Sequence, residues 1–265
     1  MDYAACKVPA APVRKRNDHR SEMVNQVLFG ETMMILKEKK KWIRVRTTLD
    51  SYEGWIAINQ LEEINEELAI TMNPWITTDL FNTIGVGDTK MNISFGASLS
   101  GWDIRGGKFG NIEYGFSGNK IRRNESDSPE RSSKDRIYPD AERVMKFTNQ
   151  WLNVPYLWGG RTPLGVDCSG LAQIIFKTLG IDLSRDAWQQ AQQGKPVKKF
   201  KNAVTGDLAF FDDKEEIVHV GILLNSEQII HASGKVRIDP IDKKGITNSD
   251  TGKRTHRLRG IRRYW

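Results

Sequence analysis

Cysteine is almost missing from this 265-residue chain, which has only Cys6 and Cys168. Two cysteines exclude a disulfide framework. Each is expected to be a free thiol, as in a reducing compartment. Cys6 lies in an N-terminal segment expected to fray. Histidine is also sparse, at four residues. No apolar run approaches the length that crosses a bilayer, so no membrane span is expected. The opening MDYAACKVPAAPVRKR lacks the apolar core of a signal peptide. Its AAC resembles a lipidation box without the hydrophobic run that should precede it. With Met1 as the native start, these absences predict a cytoplasmic protein. A periplasmic or secreted one follows instead if a leader has been removed.

Bulk composition is that of a soluble globular protein, with 38% hydrophobic and 28% charged residues. Eight Trp and ten Phe suffice for sizeable cores without a metal or disulfide. The net charge of +7 and pI near 9.3 favour anionic partners. The tightest basic cluster is KEKKKWIRVR, residues 37–46. There Ile43 and Val45 alternate with Arg44 and Arg46, which reads as a strand with one solvated face. The motif and aromatic-basic platform of a nucleic-acid site are missing, so no nucleic-acid partner is expected. A monomer is expected.

Residues 1–63 read as short strands. VNQVLFGE, TMMILKE, KWIRVRTT and YEGWIAI are broken by Gly30, the lysine cluster and Asp50-Ser51. Such spacing predicts a small barrel. ITMNPWITTDLF, MNISFGASLSGWDI and FGNIEYGF repeat the style as a second β-unit. From Asn119 to Arg136 one large apolar residue, Ile121, stands among polar ones, which reads as an exposed connector ending a 64–136 division. The third division, 137–265, changes character. PDAERVMKFTNQWL has helical spacing, with Pro139 near its start. In LAQIIFKTLG, Leu171, Ile174, Ile175 and Leu179 share one helical face, and Gly180 fits a stop. SRDAWQQAQQG reads as a short helix with Ser184 as N-cap and Gly194 as stop. DLAFF, IVHVGILL, QIIHASG, KVRID and RLRGIRRYW then read as strands, so this division is α+β.

Cys168 directly precedes a helical pattern, with Asp167 as candidate N-cap. N–H groups and the dipole at a helix start lower a thiol pKa from about 8.5 toward neutrality. The thiolate is the nucleophile of covalent catalysis. A buried cysteine acting as a small hydrophobe is the plain alternative. His19 and His256 lie in charged surroundings, NDHRSE and KRTHRLR, and read as exposed. His219 and His231 sit in apolar strand patterns, where each alone reads as a satisfied core histidine. They are twelve apart and flank LNSEQ. A hairpin centred on Asn225 sets them directly opposite on one face; a two-residue turn at Asn225-Ser226 sets them on opposite faces. On one face, one imidazole orients the other. Cys168, His219 and His231 as metal ligands would lack the paired short-range spacing usual for zinc. No metal and no other cofactor is expected.

The run YLWGGRTPLGVDCSGL, followed in order by GDLAFF, HVGI and IIHAS, resembles the NlpC-type papain-like cysteine peptidases over about residues 138–265. That family cleaves bacterial peptidoglycan stem peptides. VRKRNDHRSEMVNQVLFGE and SYEGWI resemble the bacterial SH3-like modules of its γ-D-glutamyl-L-diamino-acid endopeptidases (dipeptidyl-peptidase VI type). These release L-Ala-γ-D-Glu from peptides with a free N-terminal L-Ala. The resemblance implies an α+β papain-like catalytic domain preceded by two small all-β SH3-like barrels.

Residue by residue, the resemblance implies Cys168 as nucleophile, His219 as general base and His231 as the residue orienting His219. Tyr156 matches a tyrosine near the oxyanion. Asp167 and Ser169 match residues lining the γ-D-Glu subsite. Asp186 matches the acid that receives the free amine, with Arg185 balancing either Asp186 or the substrate carboxylate. Tyr52 matches a tyrosine of the SH3-like module that walls off the pocket, and Trp158 joins the substrate-binding set. Tyr52, Tyr156 and Trp158 read equally as core or rim aromatics. Ala187 stands where the subgroup often has serine. VRKRND lacks the acid that relatives tend to carry near Arg16, with Asp18 and Glu22 as the nearby carboxylates. The implied activity is cleavage of the γ-D-glutamyl-L-diamino acid bond of small murein peptides during recycling. Hydrolysis of intact peptidoglycan and non-catalytic wall binding are the alternatives.

Overall fold

The computed structural model describes residues 2–71, 75–123 and 141–265. Two compact units are present: Met1–Glu125 with Trp158–Pro163, and Ser126–Leu157 with Leu164–Trp265.

In the first unit, β1 (Tyr3–Cys6), β2 (Ala10–Arg14), β3 (Met23–Leu28), β4 (Thr32–Lys39), β5 (Trp42–Thr47), β6 (Glu53–Ala57) and β7 (Leu61–Ile64) form one antiparallel sheet, ordered β3-β2-β6-β5-β4-β1-β7. Strand β5 shows why. Ile43 and Val45 face the core, while Arg44 and Arg46 face water and both reach Glu53 on β6. Cys6 does not fray. Strand β1 lies between β4 and β7, so residues 4–6 are fully buried and Cys6 pairs with Leu61.

Helix α1 (Glu66–Ile70) is capped by Asn65, whose side chain accepts from Leu68 N–H at 2.9 Å. Beyond it come β8 (Trp75–Thr77), β9 (Phe81–Val86), β10 (Thr89–Ser94), β11 (Trp102–Asp103), β12 (Gly106–Phe109), β13 (Ile112–Phe116) and β14 (Lys120–Arg122). Five of them form a sheet ordered β10-β9-β13-β12-β11, and β14 pairs with β8. Residues 120–122, expected to belong to an exposed connector, are therefore a paired strand. Ile121 pairs with Ile76, and Lys120 Nζ lies 5.1 Å over the Trp102 ring. Residues 124–136 and Pro139 lie outside the described residues. The two sheets share a core: Phe29 packs edge-on against Tyr114, with ring centroids 5.1 Å apart. Gly30 permits this approach. Its φ is +72°, and a β-carbon would lie 1.9 Å from the Ser98 carbonyl oxygen.

Strand β15 (Arg161–Thr162) also belongs to the first unit. Arg161 forms a buried bidentate pair with Glu31, at 2.8 and 2.9 Å. Breaking such a pair strands the other charge, at a cost of about 3–5 kcal/mol.

The second unit holds α2 (Ala141–Gln150), β16 (Gly165–Val166), α3 (Cys168–Thr178), α4 (Ala187–Gln190), β17 (Lys195–Pro196), β18 (Leu208–Asp213), β19 (Glu216–Leu223), β20 (Gln228–Ser233), β21 (Lys235–Asp242), β22 (Gly245–Thr247) and β23 (Arg254–Arg263). Its sheet runs β17-β23-β18-β19-β20-β21-β22, and β22 also pairs with β23, so six strands close on themselves. Helix α3 packs on β19 and β20. The helix expected to show one apolar face is buried on every side, Gln173 and Lys177 included. It ends as expected, with Gly180 at φ +80°. The N-cap of α4 is Asp186 and not Ser184; the Asp186 N–H donates to Gln189 Oε1 at 3.1 Å, as in a capping box.

Strands β19 and β20 pair Ile222 with Ile230 and Leu223 with Ile229. The hairpin is thus centred on Ser226, one residue past the expected Asn225. His219 and His231 share a face, as an odd loop requires, but diagonally, with His231 level with Gly221. A β-carbon on residue 221 would lie 3.0 Å from His231 Cβ and 2.7 Å from Ile229 Cδ1. Glycine is what lets the second histidine lean toward the first.

Candidate active site

Cys168 is the first residue of α3, after the N-cap Asp167. The Asp167 side chain accepts from Gly170 N–H at 2.7 Å, which fixes the helix start. It also accepts two bonds from Arg185, at 3.0 and 2.5 Å, and Arg185 donates to Ser169 Oγ at 2.9 Å. Asp167, Ser169 and Arg185 are all buried. Gln190 of α4 donates to the Ser169 and Ser184 carbonyls, at 3.0 and 2.8 Å. The turn carrying the thiol is therefore clamped by charge-assisted bonds from the segment before α4.

Three further buried residues, His219, His231 and Asp239, form a hydrogen-bonded chain. His219 Nε2 and His231 Nδ1 are 2.8 Å apart, and His231 Nε2 lies 3.0 Å from Asp239 Oδ2. Asp239 Oδ1 accepts from Arg237, Ser249 N–H and Ser249 Oγ, at 2.9, 3.0 and 2.7 Å. An ionised carboxylate only accepts, so His231 carries its proton on Nε2. With His231 neutral, its Nδ1 is an acceptor and His219 must carry its proton on Nε2. The basic lone pair of His219 is then on Nδ1.

Burial tends to raise the Asp239 pKa, but bonds from His231, Ser249 and Arg237 outweigh it and hold the carboxyl well below the usual range. Burial, then the charges of His231 and His256, hold His219 well below 6.5. Cys168 departs from expectation. Burial and the Asp167 charge push its thiol up to about 12, against the opposing backbone bonds of Val220 and Ser169 and the Arg185 charge. Desolvation outweighs the helix start because the sulfur is enclosed. Near neutral pH the thiol and the His219 imidazole are thus both uncharged. The bond to Val220 sets the sulfur against β19, next to His219 in sequence.

Tyr156 is pushed up to about 12 by burial and then by the charges of Cys168 and Asp167, so its hydroxyl keeps its proton near the sulfur. Its backbone N–H donates to the Gly234 carbonyl at 3.0 Å. Asp186 is half-buried at the start of α4. Tyr52 and Trp158 belong to the first unit. Tyr52 N–H donates to Thr47 Oγ1 at 2.8 Å in the turn between β5 and β6. The Trp158 indole donates to Glu22 at 2.9 Å, while Glu22 also pairs with Lys15. Asp18 accepts from Arg20 N–H at 2.8 Å.

Two residues escaped the sequence reading. Asp239 ends the histidine chain. His256, expected to be exposed, is half-buried and stacked on His219, with centroids 4.2 Å apart and planes at 25°. The signal for both was strand phase. Asp239 falls on the inward face of β21 with Ile241, and His256 falls in phase with Leu258 of β23.

Residues 153–255 match the NlpC/P60 family, and residues 13–61 match the bacterial dipeptidyl-peptidase Sh3 domain. The γ-D-glutamyl-L-lysine dipeptidyl-peptidase of Bacillus subtilis is 30% identical over 218 residues, 78% of this chain and 71% of that one. The dipeptidyl-peptidase 6 of Lysinibacillus sphaericus is 26% identical over 253 residues, 86% of this chain and 87% of that one. A crystal structure of an NlpC/P60 family protein from Bacillus cereus has the same fold, with a TM-score of 0.78 over 99% of both chains at 21% identity. Fold and matches together define a cysteine peptidase with an SH3-like N-terminal domain. The chain belongs to the NlpC/P60 family.

Proposed function

We propose that this peptidase cleaves the γ-D-glutamyl-L-diamino acid bond of small murein peptides with a free N-terminal L-Ala, releasing L-Ala-γ-D-Glu. The observation that carries the reading is the buried His219–His231–Asp239 chain beside a helix-start cysteine. The names of relatives sharing most of the chain's length support the bond and the substrate class. Asp186 is the carboxylate assigned to the substrate ammonium. Residues 64–136 are read as a second SH3-like module, preceding a 137–265 peptidase domain.

The Cys168 sulfur attacks the γ-carbonyl carbon as its proton moves to His219 Nδ1. General-base transfer during attack suits a thiol whose resting proton is firmly held. The Tyr156 hydroxyl and backbone N–H groups stabilise the tetrahedral oxyanion. His231, anchored by Asp239, supports the His219 imidazolium. His219 then protonates the leaving amine, giving a thioester. Water, deprotonated by the same imidazole, attacks that carbonyl and frees the dipeptide and thiol.

The test is incubation of L-Ala-γ-D-Glu-L-Lys, free and N-acetylmuramyl-capped, with wild type and Cys168→Ala. Rapid cleavage of the free peptide by wild type alone supports the proposal. Equal turnover by both proteins overturns the mechanism, and preferred cleavage of the capped peptide overturns the free-amine specificity.

A further inference from the structure

We propose that His256 is a positioning residue for His219: its ring, stacked on the base, holds the plane of that imidazole and covers the His219–His231 hydrogen bond. The inference rests on the reading of His219 as general base.

A single hydrogen bond leaves a ring free to swing about the bond axis. Among the described residues the His219 ring has one such bond, to His231, whose ring stands edge-on to it at 84°. Phe211, opposite it on β18, meets it at a tilt of 45° with centroids 5.8 Å apart. His256 supplies the flat contact these two lack. Its ring is nearly parallel to His219 at 4.2 Å and edge-on to His231 at 5.6 Å, so it overlies the bond between them. His256 is itself held in place. Its Nδ1 is 2.8 Å from Thr255 Oγ1, its strand pairs with Ile246 of β22, and its ring meets Phe211 edge-on.

The charge environment agrees. Among the described residues, His219 on β19, His231 on β20 and Asp239 on β21 are the titratable groups that face His256, while Phe211 on β18 and Ile246 on β22 bring none. Burial, then the His231 charge, hold His256 down at about 4, with Asp239 opposing. Near neutral pH it is therefore uncharged. The imidazolium formed during attack therefore meets an uncharged π-face and not a second cation.

The test compares wild type, His256→Ala, His256→Leu and His256→Phe in the full chain. Turnover of L-Ala-γ-D-Glu-L-Lys is followed against pH, and iodoacetamide alkylation of Cys168 is mapped by mass spectrometry. His256→Ala and His256→Leu should lower kcat about 10- to 100-fold, with KM within about twofold, because misplacement of a reacting group acts on kcat. Their acid limb should rise toward 6.5, the usual histidine value, as water reaches the ring. His256→Phe, which keeps a flat ring, should recover kcat to within about threefold of wild type.

Wild-type kcat and acid limb in His256→Leu overturn the proposal, as does a Phe variant no better than Leu. If the Ala variant fails to fold, the Phe–Leu comparison decides alone, with thermal melts checking both. His219→Ala and Cys168→Ala separate the two claims. If both turn over peptide like wild type, the base reading falls. If both are inactive while His256→Leu is normal, only this inference falls.

Discussion

Cys6, in the sheet of the first unit, and Cys168, at the helix start of the second, are both buried, and burial pushes both thiols up to about 12. Their surroundings differ. The Cys6 sulfur donates toward two carbonyls, Val8 at 3.3 Å and Val27 at 3.5 Å, and the backbone bonds of Val8 and Ala11 oppose its burial. Cys168 faces the backbone of Ser169 and of Val220, the residue after His219, whose imidazole is bonded to His231 and through it to Asp239. Resting acidity does not distinguish an inert thiol from a candidate nucleophile in this protein. The groups that receive the proton and the charge during reaction do.

The largest expected effect breaks that contrast outright. Cys168→Ser should lower kcat/KM on the free tripeptide by at least about 10³-fold, while Cys6→Ser stays within about twofold. Comparable losses would erase the distinction. A smaller effect comes from the far end of the chain. Asp239→Asn replaces the acceptor-only carboxylate that fixes the His231 tautomer with an amide that can also donate, and should cost about 10²-fold in kcat/KM. Alkylation of Cys168 at neutral pH should then slow toward the rate of Cys6, measured on the same digest; an unchanged rate would detach Asp239 from the site.

The smallest effect treats the two thiols alike. Both stand near 12 when folded against 9.0 ordinarily, so above pH 9 the unfolded chain releases protons first and stability falls. His219 and His256 lie below 6.5, so below that pH the unfolded chain takes up protons first and stability falls again. Urea midpoints should peak between these limits. Cys6→Ala and Cys168→Ala should each flatten the alkaline limb and leave the acid limb alone.

Much of this was legible. The GVDCSG turn and apolar run marked a cysteine at a helix start, and the twelve-residue spacing put two histidines on one face once the loop was odd. The limits were those of pairing. A one-residue error in the hairpin centre turned a diagonal contact into a direct one, because local pattern does not set register. Asp239 and His256 reach the site through strands far along the chain, and β23 carries register shifts against β18 and β22. The charged neighbours of His256 face water on alternate positions and disguised an inward-facing ring. The thiol pKa was misjudged because a helix dipole is visible in sequence and the enclosure of a sulfur is not.

The short stretch Trp158–Pro163 has a consequence for how this protein can be divided. The chain leaves the first unit, returns for a few residues ten positions before the cysteine, and leaves again. No single cut yields either unit whole. A fragment beginning at residue 137 would carry Arg161 without Glu31, an unpaired guanidinium built for enclosure. A crossover placed between the two units would leave one of them incomplete.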